Sequence, residues 1–126
     1  MILGIGVDIV RVARMSAAIS KHGDKFLNRV FCEQEIASCS KRVEPAPCYA
    51  ARFAAKEAYV KALGTGFSKG ITLAQVCVEK LAIGAPILKP KGAALKAAKE
   101  LGVARIHLSL THEKDAAVAV VIIEGE

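Results

Sequence analysis

The sequence predicts an α+β domain, an antiparallel sheet packed with helices. Three observations lead there: an alternating apolar segment at the N-terminus, a series of helical stretches between Val12 and Leu63, and two alternating C-terminal segments only four residues apart. Strands at both ends with helices between them do not fit the regular alternation of a parallel α/β sheet. A length of 126 residues suits one domain, 1–126, and 53% hydrophobic content supplies its core.

Residues 2–9 alternate so that Leu3, Ile5, Val7 and Ile9 share one face and Gly4, Gly6 and Asp8 the other. This is a strand with one bare face, and glycine there implies close approach of another backbone or a ligand. From Val12 to His22 the period becomes helical, with Gly23 as the stop. Phe31 to Ser40 is a second helical stretch, and Lys41 to Pro47 reads as a charged, proline-broken loop. The strongest helix runs from Tyr49 to Leu63, rich in alanine and closed by Gly64. Ile71 to Glu79 and Ala85 to Leu88 read as short strands, and Lys91 to Leu101 as an exposed helix. Arg105 to Thr111 and Ala116 to Glu124 are strands, and their four-residue connection implies an antiparallel hairpin.

A net charge of +6 implies attraction to anions, which include nucleic acid, phosphorylated metabolites and acidic proteins. With 5% aromatic residues and no Trp, a stacking platform for single strands is poorly supplied. The longest apolar run, Ala116 to Ile123, is far short of the ~20 residues of a membrane span, so a soluble, intracellular protein is expected. Cys32, Cys39, Cys48 and Cys77 form no C-x-x-C pair and are expected to be free thiols. Gly64, Gly66 and Gly70 follow a helix with G-x-G-x-x-x-G spacing, which excludes a dinucleotide fingerprint. They serve as a helix stop and turn, or as a backbone surface for a phosphate or an extended ligand arm.

On the main helix, Glu57 and Lys61 lie about 40 degrees apart and are flanked by Phe53, Ala54, Ala58 and Val60. They form either an i,i+4 surface pair or part of a site set in apolar surroundings. Arg52 and Lys56 lie roughly opposite, where the polar face is expected. Asp8 is a helix cap or, with Glu57, one of the one or two carboxylates that magnesium takes from a protein. His107, Ser109 and Thr111 share a strand face that either meets water or hydrogen-bonds a phosphate or an amide-rich arm, and His112 points the other way.

Gly4-Ile5-Gly6-Val7-Asp8-Ile9 with Arg14, then Arg52-Phe53-Ala54-Ala55-Lys56-Glu57-Ala58 with Lys61, Gly64 and Gly66, and finally Ser109-Leu110-Thr111-His112, resemble the ordered motifs of the small holo-acyl-carrier-protein synthases. The resemblance implies the 4'-phosphopantetheinyl transferase fold and a cytoplasmic, magnesium-dependent enzyme of fatty acid biosynthesis. Such an enzyme transfers the 4'-phosphopantetheine of coenzyme A to a serine of apo acyl carrier protein and releases adenosine 3',5'-bisphosphate. It also implies a homotrimer with active sites between subunits. By resemblance, Asp8 and Glu57 hold the metal, and Lys61 contacts phosphate and is catalytic with them. Arg52, Phe53, Gly64, Thr65, Gly66, His107, Ser109 and Thr111 are the expected coenzyme A contacts. Arg14, Lys21 and Lys25 are the expected docking face for the acidic carrier. Many relatives carry an aromatic residue near Ala116, which this chain lacks. A basic nucleic-acid-binding module, built on Lys41-Arg42 and Lys89 to Lys99, is the competing reading, and an inactive assembly subunit is a third.

Overall fold

The computed structural model describes residues 1–80 and 82–126. In chain order the elements are β1 (Ile2–Arg11), α1 (Val12–Val30), α2 (Glu33–Ser40), α3 (Pro45–Leu63), β2 (Val76–Lys80), β3 (Pro86–Pro90), α4 (Gly92–Leu101), β4 (Val103–His112) and β5 (Ala116–Gly125). A 3-10 turn, Leu73–Gln75, leads into β2. One antiparallel sheet has the order β1-β5-β4, and β2 and β3 form a separate antiparallel pair. No helix among the described residues is long and apolar enough to cross a membrane.

The centre of the fold is α3, which is buried on nearly every side. Alanine lets it do this: Ala50, Ala51, Ala54, Ala55, Ala58 and Ala62 are all buried and let neighbouring elements approach closely. Its start differs from the sequence expectation, because Pro45 to Pro47 form the first helical turn instead of a loop. Proline is tolerated there, since the first N–H groups of a helix have no intrahelical partner. The end is as expected: Gly64 adopts φ 77° and donates its N–H to the Val60 carbonyl.

The bare face of β1 meets α3 directly. A Cβ on Gly4 would lie 2.0 Å from the Ala62 carbonyl oxygen, and one on Gly6 1.8 Å from that of Ala58. Two strand residues and one helical turn advance by similar distances, so this ladder carries Asp8 on toward the turn containing Glu57. Ala117, Ala119, Val121 and Ile123 of β5 complete the inner layer. The opposite face carries Ile5, Val7 and Ile9, all more than half exposed, alongside Val118, Val120 and Ile122 of β5.

Three further expectations change. Gly23 does interrupt α1, at φ 59° and ψ −142°, but a helical run continues beyond it to Val30. The expected strand from Ile71 begins only at Val76, after the 3-10 turn. The cysteines are paired rather than free: Cys32 with Cys77 and Cys39 with Cys48, so that α2 is tied to β2 at its start and to α3 at its end. Separations of 45 and 9 residues say nothing about pairing until the fold brings the partners together.

Candidate active site

Asp8 lies three residues before the end of β1 and caps no helix; the residue preceding α1 is Arg11, which makes no side-chain cap. Instead Asp8 Oδ1 accepts a hydrogen bond from Lys61 Nζ at 2.9 Å, and the same ammonium donates to the Val7 carbonyl at 3.1 Å. Lys61 thus reaches across to the strand, and among the described residues the i,i+4 surface pair with Glu57 is not formed. Asp8 and Glu57 line one cleft of about 370 Å³, together with Arg14, Met15, Phe26 and Phe53.

Burial, and next the negative charge of Asp8, push the Glu57 carboxyl above its usual range, against a smaller opposing pull from Lys61. Two carboxylates from separate elements in one partly apolar cleft, where burial and then mutual repulsion disfavour the charge on Glu57, are a set that suits a hard divalent cation. The oxygen-only donors suit magnesium, which takes one or two carboxylates and leaves its other positions to water and phosphate.

The remaining candidates divide into two groups. Phe53 and Arg14 line the Asp8–Glu57 cleft, and the Gly64–Gly66 turn begins three residues beyond Lys61. Lys21 and Lys25 are exposed on α1, on either side of the Gly23 kink. Arg52 faces elsewhere: its guanidinium donates to Cys48 Sγ at 3.1 Å and to Ser38 Oγ at 3.4 Å, while its buried Nε meets no partner among the described residues. It lines a second cavity, of about 260 Å³, with Arg42, Lys80, Pro86 and His112. His107, Ser109 and Thr111 lie on the outward face of the sheet, away from Asp8. There His107 Nε2 and Arg105 Nε both meet Glu124 Oε1 at 2.9 Å. His107 and His112 therefore serve different surroundings, as their alternation implied.

Periodicity misplaced one face of α3. Arg52 and Lys56 do lie away from Glu57, but they are 4% and 0% exposed instead of solvated. Met15, Phe26 and Lys80, which line the two cavities, are not singled out by the sequence, because isolated residues far apart in sequence carry no local signal, and Arg42 stands out there only as part of a basic pair. Cys32, Glu35 and Cys77 also lie close together, but both sulfurs are in a disulfide and Glu35 is paired with Lys56.

The chain is similar to known proteins over nearly its whole length. Residues 4–121 match the model of the 4'-phosphopantetheinyl transferase superfamily. The chain is 52% identical to the holo-[acyl-carrier-protein] synthase of Treponema denticola over 99% of its own length and 100% of that protein. The holo-[acyl-carrier-protein] synthase of Neisseria meningitidis superimposes with a TM-score of 0.90 at 35% identity, covering 98% of this chain and 99% of that one. That of Bacillus anthracis, solved in complex with CoA (3',5'-ADP), gives 0.82 at 34% identity, covering 100% and 99%.

Proposed function

The chain belongs to the 4'-phosphopantetheinyl transferase superfamily, among the holo-[acyl-carrier-protein] synthases, and we propose that the Asp8–Glu57 cleft is where it transfers the 4'-phosphopantetheine arm of coenzyme A to a serine of apo acyl carrier protein. The products are holo acyl carrier protein, for fatty acid biosynthesis, and adenosine 3',5'-bisphosphate. The observation that carries this placement is the convergence of Asp8 from β1 and Glu57 from α3 on one cleft, with Lys61 hydrogen-bonded to Asp8.

Asp8 and Glu57 are the residues that would hold Mg2+, which when bound neutralises charge on the pyrophosphate of coenzyme A. Lys61, with its side chain 54% exposed beside Asp8, presents an ammonium to a phosphate oxygen and to the departing bisphosphate. As the serine oxygen bonds to phosphorus, the bond to the bisphosphate breaks, and the serine proton passes to Glu57 or to a water that Glu57 orients. Phe53 supplies an apolar wall, and the turn at Gly64 to Gly66 offers backbone unobstructed by large side chains.

The exposed apolar face of Ile5, Val7 and Ile9 supports a homotrimer, because a contiguous patch of this kind marks an interaction surface. His107, Ser109 and Thr111 share that face, which supports active sites completed by a neighbouring subunit. Sedimentation equilibrium at three masses tests the assembly. Arg14 on the cleft, with Lys21 and Lys25 beyond, supports docking of an acidic carrier. Arg14→Glu is expected to raise KM for the carrier more than KM for coenzyme A; equal changes remove the docking role.

The proposed compartment is the cytoplasm. Neither disulfide supplies a ligand to the Asp8–Glu57 cleft. The functional test is incubation with coenzyme A, Mg2+ and apo carrier, followed by intact-mass measurement. One added phosphopantetheine per carrier is expected, and an unchanged mass across several carriers overturns the proposal.

A further inference from the structure

One buried ionic group lies outside the cleft and has no part in the chemistry above. Lys56 and Glu35 are both 0% exposed and paired at 2.6 Å. All three ammonium donors of Lys56 are used: Nζ donates to Glu35 Oε1, to the Val76 carbonyl at 2.7 Å and to the Leu73 carbonyl at 3.1 Å. Glu35 is equally occupied, since Oε1 also accepts the Cys32 N–H at 2.9 Å and Oε2 accepts the Val78 N–H at 3.0 Å. A single point thus joins α3 to the start of α2, the 3-10 turn and β2.

As a source of stability this is a poor choice, because a buried ion pair is often matched or bettered by apolar side chains of similar volume. What it supplies is direction. Cys48 is disulfide-bonded to α2, Tyr59 donates to the Ala94 carbonyl and Lys61 to Asp8, but these are single ties toward the two ends of α3, whereas five charge-assisted hydrogen bonds converge on its middle and fix that point in three dimensions. Lys56 precedes Glu57, so the pin lies 100 degrees around the helix from the carboxylate in the cleft. At a radius of about 5–6 Å, a rotation of about 10 degrees moves that carboxylate by about 1 Å. Metal–oxygen distances near 2.0–2.1 Å do not tolerate such a displacement.

We propose that Lys56 and Glu35 are positioning residues for the Asp8–Glu57 cation site: their buried pair sets the rotation of α3 that aims Glu57 at Asp8. The proposal rests on the reading of that cleft as a divalent-cation site. Its effect reaches the chemistry only through Glu57, because neither residue lines the cleft.

The test measures Mn2+ affinity by electron paramagnetic resonance, with melting temperature and carrier turnover measured in parallel. The variants are the double replacement Glu35→Leu/Lys56→Met, which removes both charges, the milder Glu35→Gln, which keeps the volume and an acceptor, and Asp8→Asn. The double variant is expected to stay folded and to bind Mn2+ about 10–100-fold more weakly, the range seen when outer partners of metal ligands are lost. Turnover should fall with it, and Glu35→Gln should recover part of both. If the double variant does not fold, Glu35→Gln alone decides, with at least about threefold weaker Mn2+ binding expected. Wild-type Mn2+ affinity in a folded variant with lowered melting temperature assigns the pair a structural role and overturns the proposal. Unchanged Mn2+ binding in Asp8→Asn overturns the cation reading itself, and the proposal falls with it.

Discussion

Gly6→Ala tests how closely the active site depends on the contact between β1 and α3. The added Cβ would lie 1.8 Å from the Ala58 carbonyl oxygen and 2.8 Å from both the Ala58 carbonyl carbon and the Ala62 nitrogen. All three atoms are backbone, so no side-chain rotation relieves the clash. Taking the closest contact from 1.8 Å to even 3.0 Å requires the strand and helix to part by about 1.2 Å. Ordinary overpacking costs about 1–3 kcal/mol, and moving a helix buried on nearly every side places this variant at or above about 3 kcal/mol. For a chain of this size that is a fall of about 10–15 °C in melting temperature. Asp8 is two residues along the same strand, so the shift also separates it from Lys61 and Glu57, and displacements near 1 Å cost about 100-fold in rate. Differential scanning fluorimetry and the intact-mass carrier assay read the two effects. Gly64→Ala is the control: φ 77° is strained for alanine, but its Cβ meets nothing within 4 Å, so a loss of about 1–2 kcal/mol is expected. A Gly6→Ala protein with wild-type melting temperature and turnover would refute the reasoning.

Glu57→Gln keeps the size of the side chain but removes the charge a hard cation needs, so turnover should fall by orders of magnitude across a Mg2+ titration while melting temperature is retained; near-full activity would remove Glu57 from the site. The two buried tyrosines should respond oppositely to loss of the hydroxyl. Tyr59 donates to the Ala94 carbonyl at 2.8 Å, and Tyr59→Phe should cost about 1–2 kcal/mol in urea denaturation. Tyr49 meets no hydrogen-bond partner among the described residues, and Tyr49→Phe should be neutral or stabilising. Hydrogen bonds from Arg105 and then His107 hold the Glu124 carboxyl down at about 2. A depressed carboxylate contributes stability above its unfolded pKa and loses it as pH falls toward the folded value. Wild type should therefore lose melting temperature between about pH 4.5 and 2 more steeply than Glu124→Gln, and the difference should shrink in high salt.

The order of elements was legible because alternation and helical period are local, and so was the bare face of β1. Gly4 and Gly6 announced a close backbone approach, and α3 supplies it. Element boundaries were less legible where one residue type serves two purposes. Pro45 and Pro47 break a helix interior but suit its first turn, and only the chain upstream decides between them. Asp8 could be placed on the right face by its parity with Gly4 and Gly6, yet its pairing with Lys61 depends on α3 lying across that face, which no spacing encodes.

The same limit explains the misreading of Arg52 and Lys56. Helical phase determined correctly that both point away from Glu57, and hydropathy then assigned them to water. Phase reports direction only; what lies in that direction is supplied by α2 and β2, and above all by Glu35, which is 21 residues from Lys56 in sequence. A lysine can be buried when its three donors all find acceptors, and Leu73, Val76 and Glu35 provide them. Burial nonetheless holds the Lys56 ammonium below the ordinary lysine range, against the opposing pull of Glu35. A helix surrounded on nearly all sides needs few solvated positions, so a charged residue on it is either matched by a buried partner or placed at an opening. On α3, Arg52 and Glu57 face the two cavities and Lys61 reaches solvent, while Lys56 is the charge given a complete set of partners inside.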